Sequence, residues 1–132
     1  MTYRELYDSA LRIVSETEQD SGNADYEERA GYLLATFCNE CSSIDKSYRT
    51  AHKIPAISFS PATVVNLSDS FPLHEALAPA AVYYLGAMLV SDENESLSDR
   101  LFSLYTDAIA TIQSGLPCLN HTIVNRYPDL LS

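Results

Sequence analysis

From Ala76 to Val90 the chain reads ALAPAAVYYLGAMLV, fifteen residues without a charge. This run limits the possible folds more than any other stretch. A helix that is apolar on every side must be surrounded by protein or by lipid. A membrane-spanning helix takes about 20 apolar residues, and this run is shorter and contains Pro79, Gly86 and two tyrosines. It therefore reads as the buried helix of a bundle. After the acidic turn Ser91-Asp92-Glu93-Asn94-Glu95, residues Leu97, Leu101, Leu104, Tyr105, Ala108 and Ile112 recur at helical spacing. Residues 72 to 115 thus form a hairpin of two helices, each of which needs a packing partner to take its apolar face out of water.

The rest of the chain supplies such partners. Thr2 and Glu5 form a capping-box pattern. Tyr3, Leu6, Tyr7, Ala10, Ile13 and Val14 mark one face of a first helix ending near Glu16. A polar connector follows over residues 16 to 25, with Ser21, Gly22 and Asn23 as breakers. The spacing predicts a second helix from about Ala24 to about Tyr48, with the stripe Tyr26, Ala30, Leu33, Phe37, Cys41, Ile44 and Tyr48. At its end cluster Lys46, Arg49, His52 and Lys53, where cations complement the helix dipole.

From Ile54 to about Ser70 the helical period is lost and prolines recur, so this stretch is expected to be an extended arm or short β-hairpin. A long connection without a helix is often functional. Ser70 or Asp69 is the expected cap of a third helix, with Pro72 near its first turn. Pro79 then implies a kink or a restart. Ser96 and Asp99 repeat a capping pattern for the fourth helix, and Ser114-Gly115 followed by Pro117 stops it. Residues 116 to 132 form an extended tail, with a β-rich piece at His121 to Val124. The expected whole is mainly α, a single four-helix bundle-like domain spanning residues 1–132, without an internal repeat.

Eighteen acidic against eight basic side chains give a net charge of -10. That field repels phosphate backbones and anionic lipid surfaces, so neither nucleic acid nor membrane is an expected direct partner. The N-terminus lacks the pattern of a secretion signal, and three cysteines do not make a disulfide framework. An intracellular, reducing setting is expected. On that ground the glycosylation-like triplets at Asn66, Asn94 and Asn120 are chance matches.

Two constellations offer chemistry. Cys38, Cys41, Cys118 and His121 add up to a Cys3His zinc set by ligand type and number. The first pair also has the Cys-x-x-Cys spacing of a redox centre. Both cysteines of that pair fall within a helical stripe, where the plainer reading is a small buried hydrophobe. The expectation is no metal and no cofactor. His52, His74 and His121 are isolated, no nucleophile elbow, phosphate loop or metalloprotease motif is present, and no catalytic residue is expected.

The stretch FPLHEALAPAAVYYLGAMLVSDENESLSDRLFSLYTDAIATI, preceded by a proline-bearing arm, resembles phage and prophage head–tail connector proteins, the head-completion adaptors that assemble below the portal ring. The likeness lies in the small and aromatic residues from Ala80 to Leu85, the acidic turn Asp92 to Glu95, and Leu101, Phe102, Tyr105 and Ala108. It covers about 60 residues firmly and the first two helices by order and length. The resemblance implies a helical subunit with a protruding arm that assembles as a ring around the DNA channel, in the bacterial cytoplasm and then the virion. Its implied partners are other copies of itself, portal proteins and tail proteins. The candidate interface residues are Ile57, Phe59, Val64 and Val65 on the arm, Lys46, Arg49 and Lys53 at the end of the second helix, and Ile123, Val124 and Tyr127 in the tail. An acidic channel wall would let DNA slide without sticking. The competing expectation is a small acidic binding or regulatory module that neutralises a basic partner.

Overall fold

A computed structural model describes residues 1–14 and 23–116, with the side chains of residues 23 and 24 left aside. The described residues form four α-helices: α1 (Tyr3–Val14), α2 (Asn23–Ala51), α3 (Ala78–Leu89) and α4 (Glu95–Ser114), with a 3-10 turn at Glu75–Leu77 before α3. Among them there is no strand, only an isolated antiparallel bridge between Thr2 and Ser70.

The apolar run becomes the hub. α3 packs against α4, α1 and α2, and most of its residues are buried, including Ala80, Ala81, Tyr84, Leu85, Ala87 and Leu89. Contact on three sides explains why it has no polar face. Gly86 marks a close approach: a Cβ there would meet Leu101 Cδ1 at 3.2 Å and Val14 Cγ1 at 3.3 Å. Around this hub the aromatic rings form one cluster. Phe37 of α2 lies 5.8 Å from Tyr84 and 6.3 Å from Tyr105 between centroids, and Phe71 meets Tyr3 edge-on at 6.0 Å. Of the eight tyrosines among the described residues, Tyr3, Tyr7 and Tyr84 are buried, and Tyr26 and Tyr105 pack partly buried against the core.

The helix ends depart from the sequence expectation in three places. The Thr2–Glu5 capping box is present, with the Thr2 amide donating to Glu5 Oε1 at 2.8 Å and the Glu5 amide to Thr2 Oγ1 at 3.3 Å. The third helix, however, does not start near Pro72. Phe71 and Leu73 are more stable buried in the core, and the Phe71 amide donates to the Met1 carbonyl at 2.8 Å. His74 caps the 3-10 turn instead, its Nδ1 accepting from the Ala76 amide at 3.0 Å. Pro79 then falls in the first turn of α3, where a missing N–H costs nothing, so of the two expected outcomes the helix restarts there and does not kink. α4 is capped by Asn94 rather than Ser96: Asn94 Oδ1 accepts from the Leu97 amide at 3.1 Å. α2 runs past Tyr48 to Ala51 and closes with Lys53 in a left-handed conformation, φ 58°.

Candidate interaction surface

Residues 54 to 65 lie along α2 in the opposite direction to it, held at three points. Near the C-terminal end of α2, Arg49 Nη1 donates to the Pro55 carbonyl at 3.1 Å. Midway, the Asn39 amide pairs with the backbone of Ala62 in both senses, Nδ2 donating to the carbonyl at 2.8 Å and Oδ1 accepting from the amide at 3.2 Å. Further back, the Val65 amide donates to the Gly31 carbonyl at 3.1 Å. This last approach requires a glycine, since a Cβ at Gly31 would lie 2.8 Å from the Val65 carbonyl oxygen. All three clamps hold main chain and ignore arm side chains. Beyond them the segment enters the core through Leu67, Phe71 and Leu73 and runs beside the N-terminus, where the Arg4 amide donates to the Leu67 carbonyl at 2.8 Å.

The arm therefore lies on the helices of its own chain and does not protrude, and no hairpin forms among the described residues. Four arm main-chain groups, the Pro55 and Ala62 carbonyls and the Ala62 and Val65 amides, are bonded to α2 instead of to a second strand. Two hollows remain beneath it. One, of about 210 Å³, reaches Tyr3, Ala35 and Cys38. The other, of about 420 Å³, is lined by Ser42, Ser43, Asp45, Lys46, Ala56, Ile57, Phe59 and Pro61. Phe59 borders both.

The expected interface residues divide accordingly. Phe59 and Val65 are half-buried and pack against the core, while Ile57 and Val64 are 38% and 48% exposed. Lys46 and Lys53 are exposed. Arg49 is withdrawn from any neighbour, because its Nε lies 2.9 Å from Asp45 Oδ2 while its Nη1 holds Pro55. Asp45 is only 2% exposed, and its second oxygen accepts from the His74 amide at 2.7 Å. The carboxylate thus ties α2 to the segment leading into α3. Ile123, Val124 and Tyr127 lie outside the described residues.

The acidic turn sits at the other end of α2. Glu93 accepts from the Tyr26 hydroxyl, and Arg29 donates to the Met88 carbonyl at 2.9 Å, capping α3 with a cation. Twenty residues of helix, roughly 30 Å, separate Tyr26 from Lys46. Exposed Asp92, Glu95 and Asp99 gather at one pole, exposed Lys46 and Lys53 at the other.

Cys38 and Cys41 are fully buried and face different neighbours: Cys38 Sγ lies 3.8 Å from the Tyr3 hydroxyl, and Cys41 bonds the Tyr105 hydroxyl. Burial pushes both thiols up to about 11, which disfavours the thiolate that redox or metal chemistry uses. Among the described residues no three His, Cys, Asp or Glu side chains converge as metal ligands. Cys118 and His121 lie outside them.

Sequence reasoning missed Gly31, Asn39 and Asp45. Gly31 carried a signal, since a glycine inside a long helix costs about 1 kcal/mol relative to alanine and often marks a close approach. Asn39 and Asp45 gave none, as polar residues on a helix ordinarily face water. No helix among the described residues is long and apolar enough to cross a membrane. Comparison with protein-family profiles, with curated proteins and with solved structures gave no match.

Proposed function

We propose that the chain is a structural head–tail connector subunit of a phage or prophage, assembling as a ring below the portal around the DNA channel. The observation that carries this reading is the α3–α4 hairpin with its acidic turn, which resembles that family over Phe71 to Ile112. A closed ring joins two different patches of each subunit. The lysine pole with the outer edge of the arm, and the acidic pole at the α3–α4 turn, are two such patches of opposite sign at opposite ends of α2. Docking one on the next subunit's other offsets the repulsion among highly acidic subunits. In this reading Ile57, Val64, Lys46 and Lys53 touch the neighbour, while Phe59 and Val65 hold the arm in place.

The test is a pull-down against portal rings assembled from the host particle. The wild-type chain is expected to be retained, and Ile57→Asp combined with Val64→Asp to be lost, with helical content unchanged because both side chains are exposed. No retention of the wild-type chain would sink the proposal.

A further inference from the structure

The α4 edge turned away from α3 has an order of its own. Leu97 and Leu104 stand seven residues apart along it, and beside them, at the same repeat, stand Ser103 and Ala110. Arg100 and Asp107 lie between. Leu104 is 39% exposed, a high value for a leucine in a folded chain, and Arg100, Ser103, Asp107 and Ala110 are exposed as well. Neither Arg100 nor Asp107 forms an ion pair among the described residues. An edge so composed is complementary to itself.

We propose that two copies of the chain associate through this edge, α4 against α4, antiparallel about a two-fold axis. One alignment pairs these six residues at once. It sets Arg100 against the second copy's Asp107, Leu104 against its Ser103 and Leu97 against its Ala110. The two-fold then repeats each pair. Large side chains meet small ones, so the helices approach closely with ridges in grooves. A parallel alignment sets Arg100 beside Arg100 and Asp107 beside Asp107, which like-charge repulsion disfavours. Sliding by one heptad breaks both ion pairs. The seven-residue repeat is the one that keeps an edge in contact along two packed helices. The surface lies apart from the arm and the lysine pole, while its Leu97 end borders Glu95 and Asp99 of the acidic pole. A two-fold contact does not propagate into a ring, and the oligomeric state of the isolated chain is read separately from portal binding, so the two proposals are distinguished by their tests.

Sedimentation equilibrium of the full chain across the micromolar range, at physiological ionic strength, decides the matter. A monomer–dimer equilibrium is expected. Arg100→Asp and Asp107→Arg, each alone, are expected to weaken it roughly a hundredfold, since each puts two like-charged pairs into the contact. The double reversal restores dimerisation, which also shows that the reversed chains fold. Asp8→Arg, an equal charge change at an exposed site on α1, leaves the dimer intact. A monomer at every concentration overturns the proposal. So does a dimer indifferent to the reversals. Portal retention is read separately, so a failed dimer leaves that result untouched.

Discussion

The α3 hub and the arm over α2 are held by opposite means. α3 is fixed by continuous apolar contact with three helices, in which Gly86, Leu85 and the aromatic cluster leave little free space. The arm is fixed by hydrogen bonds at Arg49, Asn39 and Gly31, with hollows between them. Close packing makes the hub sensitive to each side chain. Main-chain clamps make the arm tolerant of change at exposed positions such as Val64, and dependent on Phe59, Val65 and a few α2 residues.

The largest expected effect lies in the hub. Leu85→Ala, at a fully buried site, should lower unfolding free energy by about 3 kcal/mol or more, whereas Val64→Ala on the arm, 48% exposed, should change it by less than about 0.5 kcal/mol. Chemical denaturation of both variants checks the contrast, and similar losses would erase the distinction. Asp45 joins the two regions, since it holds both Arg49 of the clamp and the His74 amide. Asp45→Ala leaves the largely buried Arg49 guanidinium without its carboxylate and the part-buried His74 amide without an acceptor, at a cost of about 3 kcal/mol. It should also free the arm near Pro55, seen as faster hydrogen exchange around residues 54 to 60.

Alkali should attack the hub before the arm. The Cys38 and Cys41 thiols rise through burial from an ordinary 9.0 to about 11. Their folded-state values lie above the unfolded ones, so above pH 9 the unfolded chain releases protons first. The associated stability is fully present below that pH and is lost as pH climbs toward 11, roughly 2–3 kcal/mol per thiol. Tyr105, lifted to about 12 by burial and by its neighbours Cys41 and Glu40, adds to the loss at the upper end. Denaturation midpoints from pH 7 to 10.5 should fall from about 9 onward. In the Cys38→Ala, Cys41→Ala double variant the fall should be shallower, though from a lower starting stability.

The same contrast explains what was legible in the sequence. Hub helices announce themselves, because burial demands apolar residues at helical spacing, and the Ala76–Val90 run, the Phe37 stripe and the Leu101 stripe all show it. The capping box at Thr2 was readable for a similar reason, being a local hydrogen-bond exchange within four residues. The path of the arm was not. It depends on pairs such as Asn39 with Ala62 and Gly31 with Val65, remote in sequence and made to backbone, which leaves no mark on the arm's own residues. The start of α3 was misplaced because Phe71 and Leu73 gain more from burial between α1 and α2 than a helical turn would return. The surface candidates fared unevenly: Arg49 looked like a free cation until its carboxylate partner one turn earlier proved to be buried.

One substitution made in both regions sharpens the comparison. Glycine to alanine inside a helix gains up to about 1 kcal/mol in propensity. At Gly86 the new methyl meets only the ends of the Leu101 and Val14 side chains, which can give by a few tenths of an ångström, so gain and crowding should nearly cancel. At Gly31 it meets the Val65 carbonyl oxygen at 2.8 Å, which is backbone, and the arm must lift. Gly31→Ala should therefore lose the Val65–Gly31 hydrogen bond and release the amides of residues 62 to 66 to exchange, with global stability changed by about 1 kcal/mol or less. Protection at Val65 unchanged in this variant would show that the arm is not seated as described.

A small, salt-dependent effect is expected where the arm leaves α2. Lys53 occupies a left-handed conformation, φ 58°, and the amides around it close the helix: Ile54 donates to the Arg49 carbonyl at 2.8 Å and Lys53 to the Thr50 carbonyl at 3.3 Å. This is the position that glycine ordinarily fills. A side chain there costs about 1–2 kcal/mol, against which glycine's extra freedom in the unfolded chain subtracts roughly 0.5–1 kcal/mol. Lys53→Gly should thus stabilise the protein by up to about 1 kcal/mol. The lysine charge, at the negative end of the helix dipole, works the other way by about 0.3–1 kcal/mol and is screened by salt. The stabilisation should accordingly be small in dilute buffer and grow in high salt, a dependence that neither the backbone effect nor the charge effect gives alone. A variant less stable than wild type at every ionic strength would mean that the lysine side chain holds the root of the arm by a contact of its own.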